Sequence, residues 1–486
     1  MRSGEGVSAP MQERLLYESD WVASRPYFYN VRTGGASHNI NEVIDLPNLE
    51  FDPEGFNDYL DFGFSVFGRT PVRDVLVLRH SSRLYSGPDG LRVEQDEDPA
   101  FDWLERESSV DELLEVMTAR VNAAAAAVPG EIVVPTSGGH DSRMIDLLLE
   151  DRRRVRAFTY GVSDDPARSM EAVKAAEVAR RLGIRWELVP LGDFHHYLDD
   201  WDAMFGVSTH AHGMYHIEFY RHILSRVGSG AVVLSGACGE WFAGDDPEVR
   251  VIETLDSPED LLEVFRYGHM CADSRMSQFW SERLGLRRLL DEQPRIRREV
   301  LPRVLTVVRL RMQLLSYLLT VPAALGLQPR APFLDIDVAM RMLTLPSKER
   351  QGRRWQHEVF AKHGLDLEKE RFAADERNFL NYRAMRRVPL RPLSERLLRE
   401  VVRPEYVRWI NRMVGPLGLT HEAFARLGWV KGFRRGIGAL EAAGFSERRV
   451  DAYFAYLTLR PIETLLRRRD AARVAQDAGE AGRWEP

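Results

Sequence analysis

The segment that most constrains this chain is EIVVPTSGGHDSRMIDLLLE, residues 131–150. A β-branched apolar run leads into Ser137-Gly138-Gly139-His140-Asp141-Ser142, and a helical pattern follows. Two adjacent glycines let a backbone turn sharply and approach a ligand closely. The helix that starts there presents unpaired N–H groups and the positive end of its dipole. Ser137 and Ser142 add hydroxyl donors, so the turn is a cradle for phosphate or pyrophosphate. Asp141 inside an anion cradle calls for a cation, and a carboxylate beside phosphates is an arrangement that holds Mg²⁺. No Gly-Lys-Ser/Thr follows, so this is not a Walker loop. A plain glycine-rich turn is the bland alternative.

Around this unit the chain alternates. RVRAFTYG, IRWELVPL and GAVVLSG read as further strands. ARSMEAVKAAEVARRLG reads as a helix stopped by Gly183. Strand–helix alternation predicts a parallel sheet with right-handed crossovers. Before residue 110 the texture differs. PYFYNV, FGFSVFG and DVLVLRH read as short strands between turn signals at Asn48, Asp52-Pro53, Gly68 and Gly87-Pro88-Asp89-Gly90. SSVDELLEVMTARVNAAAAAVPG then reads as a helix capped by Ser109. We place a domain boundary near 110, giving a β-rich segment 1–110 and an α/β domain 111–486 whose second half is helical.

Composition narrows the function classes. At roughly 100–200 residues per domain, 486 residues suggest two or three domains. A formal net charge of −7 argues against a general nucleic-acid binder. Two cysteines, Cys238 and Cys271, exclude a disulfide scaffold or a Cys-rich zinc site and favour a reducing, cytoplasmic setting. The N-terminus shows no apolar signal-peptide core. The most apolar stretch, Leu314 to Leu327, is short and holds Pro322, so it reads as a core helix and no membrane is expected. Arg467-Arg468-Arg469 reads as a solvated helix face. Cys238 reads as a small buried residue, and His195-His196 as surface residues. His140 occupies a variable loop position where its backbone matters more than its ring. His210, His212, His216 and His222 cluster in STHAHGMYHIEFYRHIL. A zinc site there would need a further ligand; substrate contact by His212, Tyr215, His216 or Glu218 and ordinary packing both stay open.

Ser137–Ser142 resembles the SGGxDS pyrophosphate loop of the N-type ATP pyrophosphatases (PP-loop proteins), asparagine synthetase in particular. Three further segments resemble that family in order. In FTYGVSDD…SMEAVKAAEVARRLGI, Thr159, Tyr160 and Gly161 fall at the strand end that lies against adenine. Glu171 matches one member of the family's Asp-Glu pair, and Met170 replaces the other. VVLSGACGEWFAGDD resembles LSGEGADELFGGY. Ser235 and Gly236 match, Glu240 stands for the aspartate, and Ala237 and Trp241 replace two glutamates; Asp245 or Asp246 could compensate. QPRAPFLDIDVAMRMLTLP resembles the RxPFLD segment at Arg330, Pro332, Phe333, Leu334 and Asp335. RFAADERNF is the weak counterpart of an Arg-Pro-Lys-x-Gly-Phe stretch, with Arg377 as its cation and Lys369 nearby.

The resemblance implies a parallel-sheet ATP-pyrophosphatase domain preceded by a shortened glutaminase-like (Ntn-like) remnant. The family's glutaminase nucleophile is an N-terminal cysteine. Residue 2 here is Arg2 and no cysteine precedes Cys238, so glutamine hydrolysis by this chain is not expected. The implied activity is an AMP-forming amide ligase, using ATP and Mg²⁺, that adenylates a carboxylate and passes it to an amine or ammonia. Such an enzyme would make a specialised metabolite, a modified peptide or a sugar-acid amide. Ser137, Gly138, Gly139, Asp141, Ser142, Thr159, Tyr160, Gly161, Ser235 and Gly236 would bind nucleotide. Asp141 and Glu240 would hold metal, with Arg330 and Arg377 as cations for developing charge. Its partners would be a small-molecule or peptide carboxylate and an amine donor, with no nucleic acid; a homodimer is compatible but not fixed. A different PP-loop enzyme, such as a tRNA-modifying one, and a degenerate nucleotide-binding scaffold are the alternatives.

Overall fold

The computed structural model describes residues 13–244, 271–415 and 448–481. The N-terminal segment holds β1 (Arg14–Glu18), β2 (Phe28–Asn30), β3 (Ala36–Ser37), β4 (Val75–Val77), β5 (Ser82–Gly87) and β6 (Gly90–Gln95). They form two three-stranded antiparallel sheets, ordered β1-β5-β6 and β3-β2-β4. FGFSVFG is not a strand; its Phe64 makes only an isolated bridge to Thr209. Between β3 and β4 lies α1 (Pro53–Phe62), a helix where only a turn was expected. Its signals are local: Asp52 caps the Gly55 N–H, Pro53 opens the first turn, and Gly63 closes it at φ +77°.

The α/β part begins with α2 (Val110–Ala126). Ser109 and Glu112 form a reciprocal capping box at its start. Five strands follow in chain order: β7 (Ile132–Pro135), β8 (Val155–Tyr160), β9 (Arg185–Val189), β10 (Val232–Leu234) and β11 (Gln328–Arg330). They make one parallel sheet ordered β11-β10-β7-β8-β9. Strands buried on both faces read as continuous apolar runs, and Ile132, Val133 and Val134 are fully buried here. The crossovers carry α3 (His140–Leu148), α4 (Met170–Leu182), α5 (Leu198–Phe205) and α6 (Tyr215–Val227), and α7 (Gly239–Ala243) follows β10. Gly183 ends α4 at φ +67°.

The chain runs outward from β7 to β8 and β9, then returns to the other side of β7 with β10. The strand order therefore reverses between β7 and β10. In open α/β sheets, ligands bind at the carboxyl ends of strands at such a switch point. The turn after β7 is the Ser137 loop, and the turn after β10 is the Ser235 loop.

Two hydrophobic cores flank the sheet, and both draw on the N-terminal segment. Phe56, Tyr59 and Leu60 join one with Trp201 and Tyr220; Trp21, Phe62 and Phe64 join the other with Trp241 and Phe333. Helices Val300–Leu315 and Tyr317–Ala324 cross the second half. The run Val300–Ala324 is long and apolar enough to cross a membrane, but 67% of its most apolar stretch is buried inside the protein, as in a core helix. Cys238 is buried, with its thiol on the Met312 sulfur at 3.1 Å. Both cysteines are free. His195 is not a surface residue: its ring is buried between the Val388 carbonyl at 2.8 Å and the Tyr453 hydroxyl at 2.9 Å.

Candidate active site

The loop after β7 folds on its own hydroxyls. The Ser137 N–H donates to Ser142 Oγ at 3.0 Å, the two hydroxyls lie 3.3 Å apart, and the Gly139 N–H donates to Ser137 Oγ at 3.1 Å. Gly139 is the N-cap of α3 and makes no side-chain cap. The first-turn N–H groups of that helix are thus the donors an anion would meet. Gly138 must be glycine, since a Cβ there would lie 2.9 Å from Lys174 Cβ. Its carbonyl accepts from Arg143 at 2.7 Å.

The loop after β10 closes against this turn. The Ser235 N–H donates to the Arg330 carbonyl at 2.8 Å, and Ser235 Oγ accepts from Ala237 N–H at 3.2 Å. A Cβ on Gly236 would lie 2.9 Å from Asp141 Cβ, and one on Gly239 would lie 2.7 Å from Asp141 Cγ. Asp141 is therefore wedged between the two loops. It accepts from the Glu240 backbone N–H and from the Gln356 side chain, and Arg353 Nη1 lies 3.4 Å from its Oδ1. Burial nevertheless raises its carboxyl above the usual range. Arg353 is itself buried and held at φ +52°, a left-handed conformation that costs a non-glycine residue energy. No local sequence pattern marks Arg353 or Gln356, since each stands more than 200 positions from Asp141.

The other expected residues divide. Gly161 follows β8, and a Cβ there would lie 2.0 Å from the Pro166 carbonyl oxygen. The Thr159 hydroxyl is spent inside the sheet: it donates to the Thr136 carbonyl and accepts from Trp186 Nε1 at 3.0 Å. Tyr160 hydrogen-bonds Tyr215 and packs edge-on against Tyr215 and Phe219. The side chain of Glu240 is exposed at the start of α7. Arg330 ends β11 at the same sheet edge; its exposed guanidinium contacts the Pro329 carbonyl at 2.9 Å. Arg377 is clamped by Asp375 at 2.8 and 2.9 Å, and the Asp375 backbone bridges to Ser169. The Ser169 hydroxyl donates to Glu171. Lys369 is exposed and pairs with Asp366 at 2.6 Å. Trp241, standing where the family has an acid, is buried beneath the Arg311 guanidinium at 5.4 Å. Asp245 and Asp246 lie outside the described residues.

The family model for asparagine synthase matches residues 130–362, which hold all five strands of the parallel sheet and both loops of the cradle. This segment is an asparagine synthase domain. The domain belongs to ATP-dependent ligases that form carbon–nitrogen bonds. No curated protein shows a significant match. Among solved structures, the NH3-dependent NAD synthetase from Campylobacter jejuni subsp. jejuni NCTC 11168, in complex with nitrate, is remotely similar. It shares 14% identity over 39% of this chain and 76% of its own, with a TM-score of 0.20.

In the asparagine synthase domain the histidine segment is buried. His210 and His212 stack with ring centroids 5.5 Å apart, and His216 lies 5.0 Å from Tyr317. Burial drives His212 down to about 4 and His216 to about 3, so both rings are neutral. His212 falls in a short 3-10 turn before α6, so it and His216 do not share a helix face. Glu218 caps the Gly192 and Asp193 N–H groups at 3.1–3.2 Å, a structural role.

Proposed function

We propose that this chain is an AMP-forming amide ligase that adenylates a carboxylate and delivers it to an amine or ammonia. The observation that carries the reading is the meeting of the Ser137 and Ser235 loops at the β7–β10 switch point, with Asp141 between them. Pyrophosphate would lie on the N–H groups of α3 and the hydroxyls of Ser137, Ser142 and Ser235. The α-phosphorus would then face the sheet edge where Arg330 ends β11. A carboxylate oxygen attacks that phosphorus and the bond to the β-phosphate oxygen breaks. The amine then attacks the acyl carbon, loses a proton and expels AMP. Positioning and fixed charge supply most of the acceleration in such a reaction.

Mg²⁺ is the cation the family uses. Asp141 and Glu240 would hold it: each opens the helix after one of the two loops, the Glu240 backbone N–H donates to Asp141, and Mg²⁺ takes one or two carboxylates plus phosphate oxygens. Bound there, it would neutralise charge on the leaving pyrophosphate. Arg353 adds a permanent positive charge beside Asp141, where the loop has lost the acids replaced by Ala237 and Trp241. This favours an enzyme with a reduced metal complement. The same replacement is what supports the second reading, a nucleotide-binding scaffold without turnover.

The test is isotope transfer. A substrate carboxylate labelled with ¹⁸O should place one ¹⁸O in AMP. ATP consumed to ADP, or AMP without label, would refute the adenylation.

A further inference from the structure

Behind the pyrophosphate loop lies a second group of ligating side chains that adenylation leaves unused. His140 opens α3, His357 lies on the helix Arg354–Lys362, and Glu368 lies on the turn Leu367–Lys369. One donor atom of each falls within 4.8 Å of the others, and His140 Nε2 is 3.8 Å from Glu368 Oε2. Ligands of a tetrahedral zinc at about 2.0–2.1 Å stand roughly 3.4 Å apart, so side-chain shifts of up to about 1.4 Å bring the three to that spacing.

Two details point to a ligand. His140 Nε2 is buried and has no hydrogen-bond partner, which is costly for an imidazole nitrogen. His357 Nδ1 is held 2.9 Å from Asp366 Oδ1. A carboxylate on one ring nitrogen fixes the tautomer and leaves the other nitrogen's lone pair free, the arrangement behind most metal-bound histidines. The rings lie 5.0 Å apart, edge to face, with Phe360 closing the apolar side.

We propose that His140, His357 and Glu368 bind a divalent transition metal of the zinc class, with Asp366 orienting His357. The two imidazoles carry most of the affinity. Glu368 also holds Arg143 at 2.8 and 2.9 Å and Lys174 at 3.2 Å, which weakens it as a ligand. Imidazole-rich sites select zinc, copper, iron or nickel over magnesium. The metal would tie the helix Arg354–Lys362 and the Glu368 turn to the start of α3. It would thus brace the loop that Arg143 already holds through the Gly138 carbonyl. This site is distinct from the Asp141–Glu240 pair and does not depend on the ligase reading.

The experiment is a cobalt titration of the full-length, chelator-stripped protein, read by visible d–d absorption and followed by displacement with zinc. One equivalent should bind, and zinc should bleach the band. His140→Ala and His357→Ala should each weaken binding at least tenfold. Asp366→Asn should weaken it about 10–100-fold without removing a ligand. Circular dichroism of each metal-free variant separates loss of the site from loss of the fold. Absence of a stoichiometric band in the wild-type protein overturns the proposal, whether or not the variants fold. An unchanged band in the double histidine variant overturns it equally.

Discussion

Arg353 Nη1 lies 3.4 Å from Asp141 Oδ1, and both side chains are largely withdrawn from water. A buried carboxylate beside a guanidinium keeps its charge more readily than one alone. The start of α3 therefore faces the Arg353 guanidinium as well as carrying the helix dipole. Asp141→Asn removes the charge while keeping the shape. We expect pyrophosphate-forming turnover to fall at least about 100-fold, the scale of losing one fixed electrostatic contact. Steady-state assay checks this, with circular dichroism as the control. Unchanged kinetics would remove Asp141 from the site.

Gly236 has no room for a methyl group. An alanine Cβ would stand 2.9 Å from Asp141 Cβ and 3.2 Å from the Ser142 nitrogen. Gly236→Ala should push the two loops apart, cost about 1–3 kcal/mol in chemical denaturation, and weaken nucleotide binding more than tenfold in calorimetry. Gly35→Ala, whose Cβ meets nothing closer than 3.5 Å, is the neutral comparison.

Asp146 lies on α3 just past the cradle, fully buried, with Thr136 Oγ1 donating to its Oδ2 at 2.8 Å. Burial pushes it up to about 7, against about 3.9 in an unfolded chain. Between those values the folded protein holds a proton that the unfolded chain has lost. Its contribution is therefore greatest below pH 4, declines as pH rises toward 7, and is flat above. Denaturation at several pH values should show this slope in the wild-type protein and a shallower one in Asp146→Asn.

The capping box at Ser109 is a test of the scaffold alone. Ser109 Oγ accepts from the Glu112 N–H, while the Glu112 carboxylate accepts from the Ser109 N–H at 2.9 Å. Ser109→Ala should lower stability by about 1 kcal/mol in a denaturant titration and leave turnover unchanged.

Much of the sheet was legible because β7 and β10 are buried β-branched runs and the turns that follow them carry glycine and serine. Gly183 and Ser109 end and start helices where local chemistry requires. The misreadings have physical causes. The aromatic residues of FGFSVFG suggested a strand, but the Asp52 cap, Pro53 and Gly63 set a helix that ends at Phe62, and Phe64 makes only an isolated bridge. β11 is only Gln328–Arg330 and draws its register from β10, which no window of its own sequence encodes. His195 looked exposed beside His196, yet Val388 and Tyr453, far along the chain, enclose it. In the site, the glycines and serines were legible because one turn contains them. Arg353, Gln356 and the His140–His357–Glu368 group were not, because the tertiary fold alone assembles them. His140 was expected to matter through its backbone; its ring packs against His357 and Phe360.

The most direct measurement is ATP–pyrophosphate isotope exchange with Mg²⁺ and a panel of carboxylates: aspartate, glutamate, uronic acids and short peptides. The account predicts exchange that depends on one class of acid and is lost in Asp141→Asn. Exchange with none of them, in protein shown by calorimetry not to bind ATP, would contradict it.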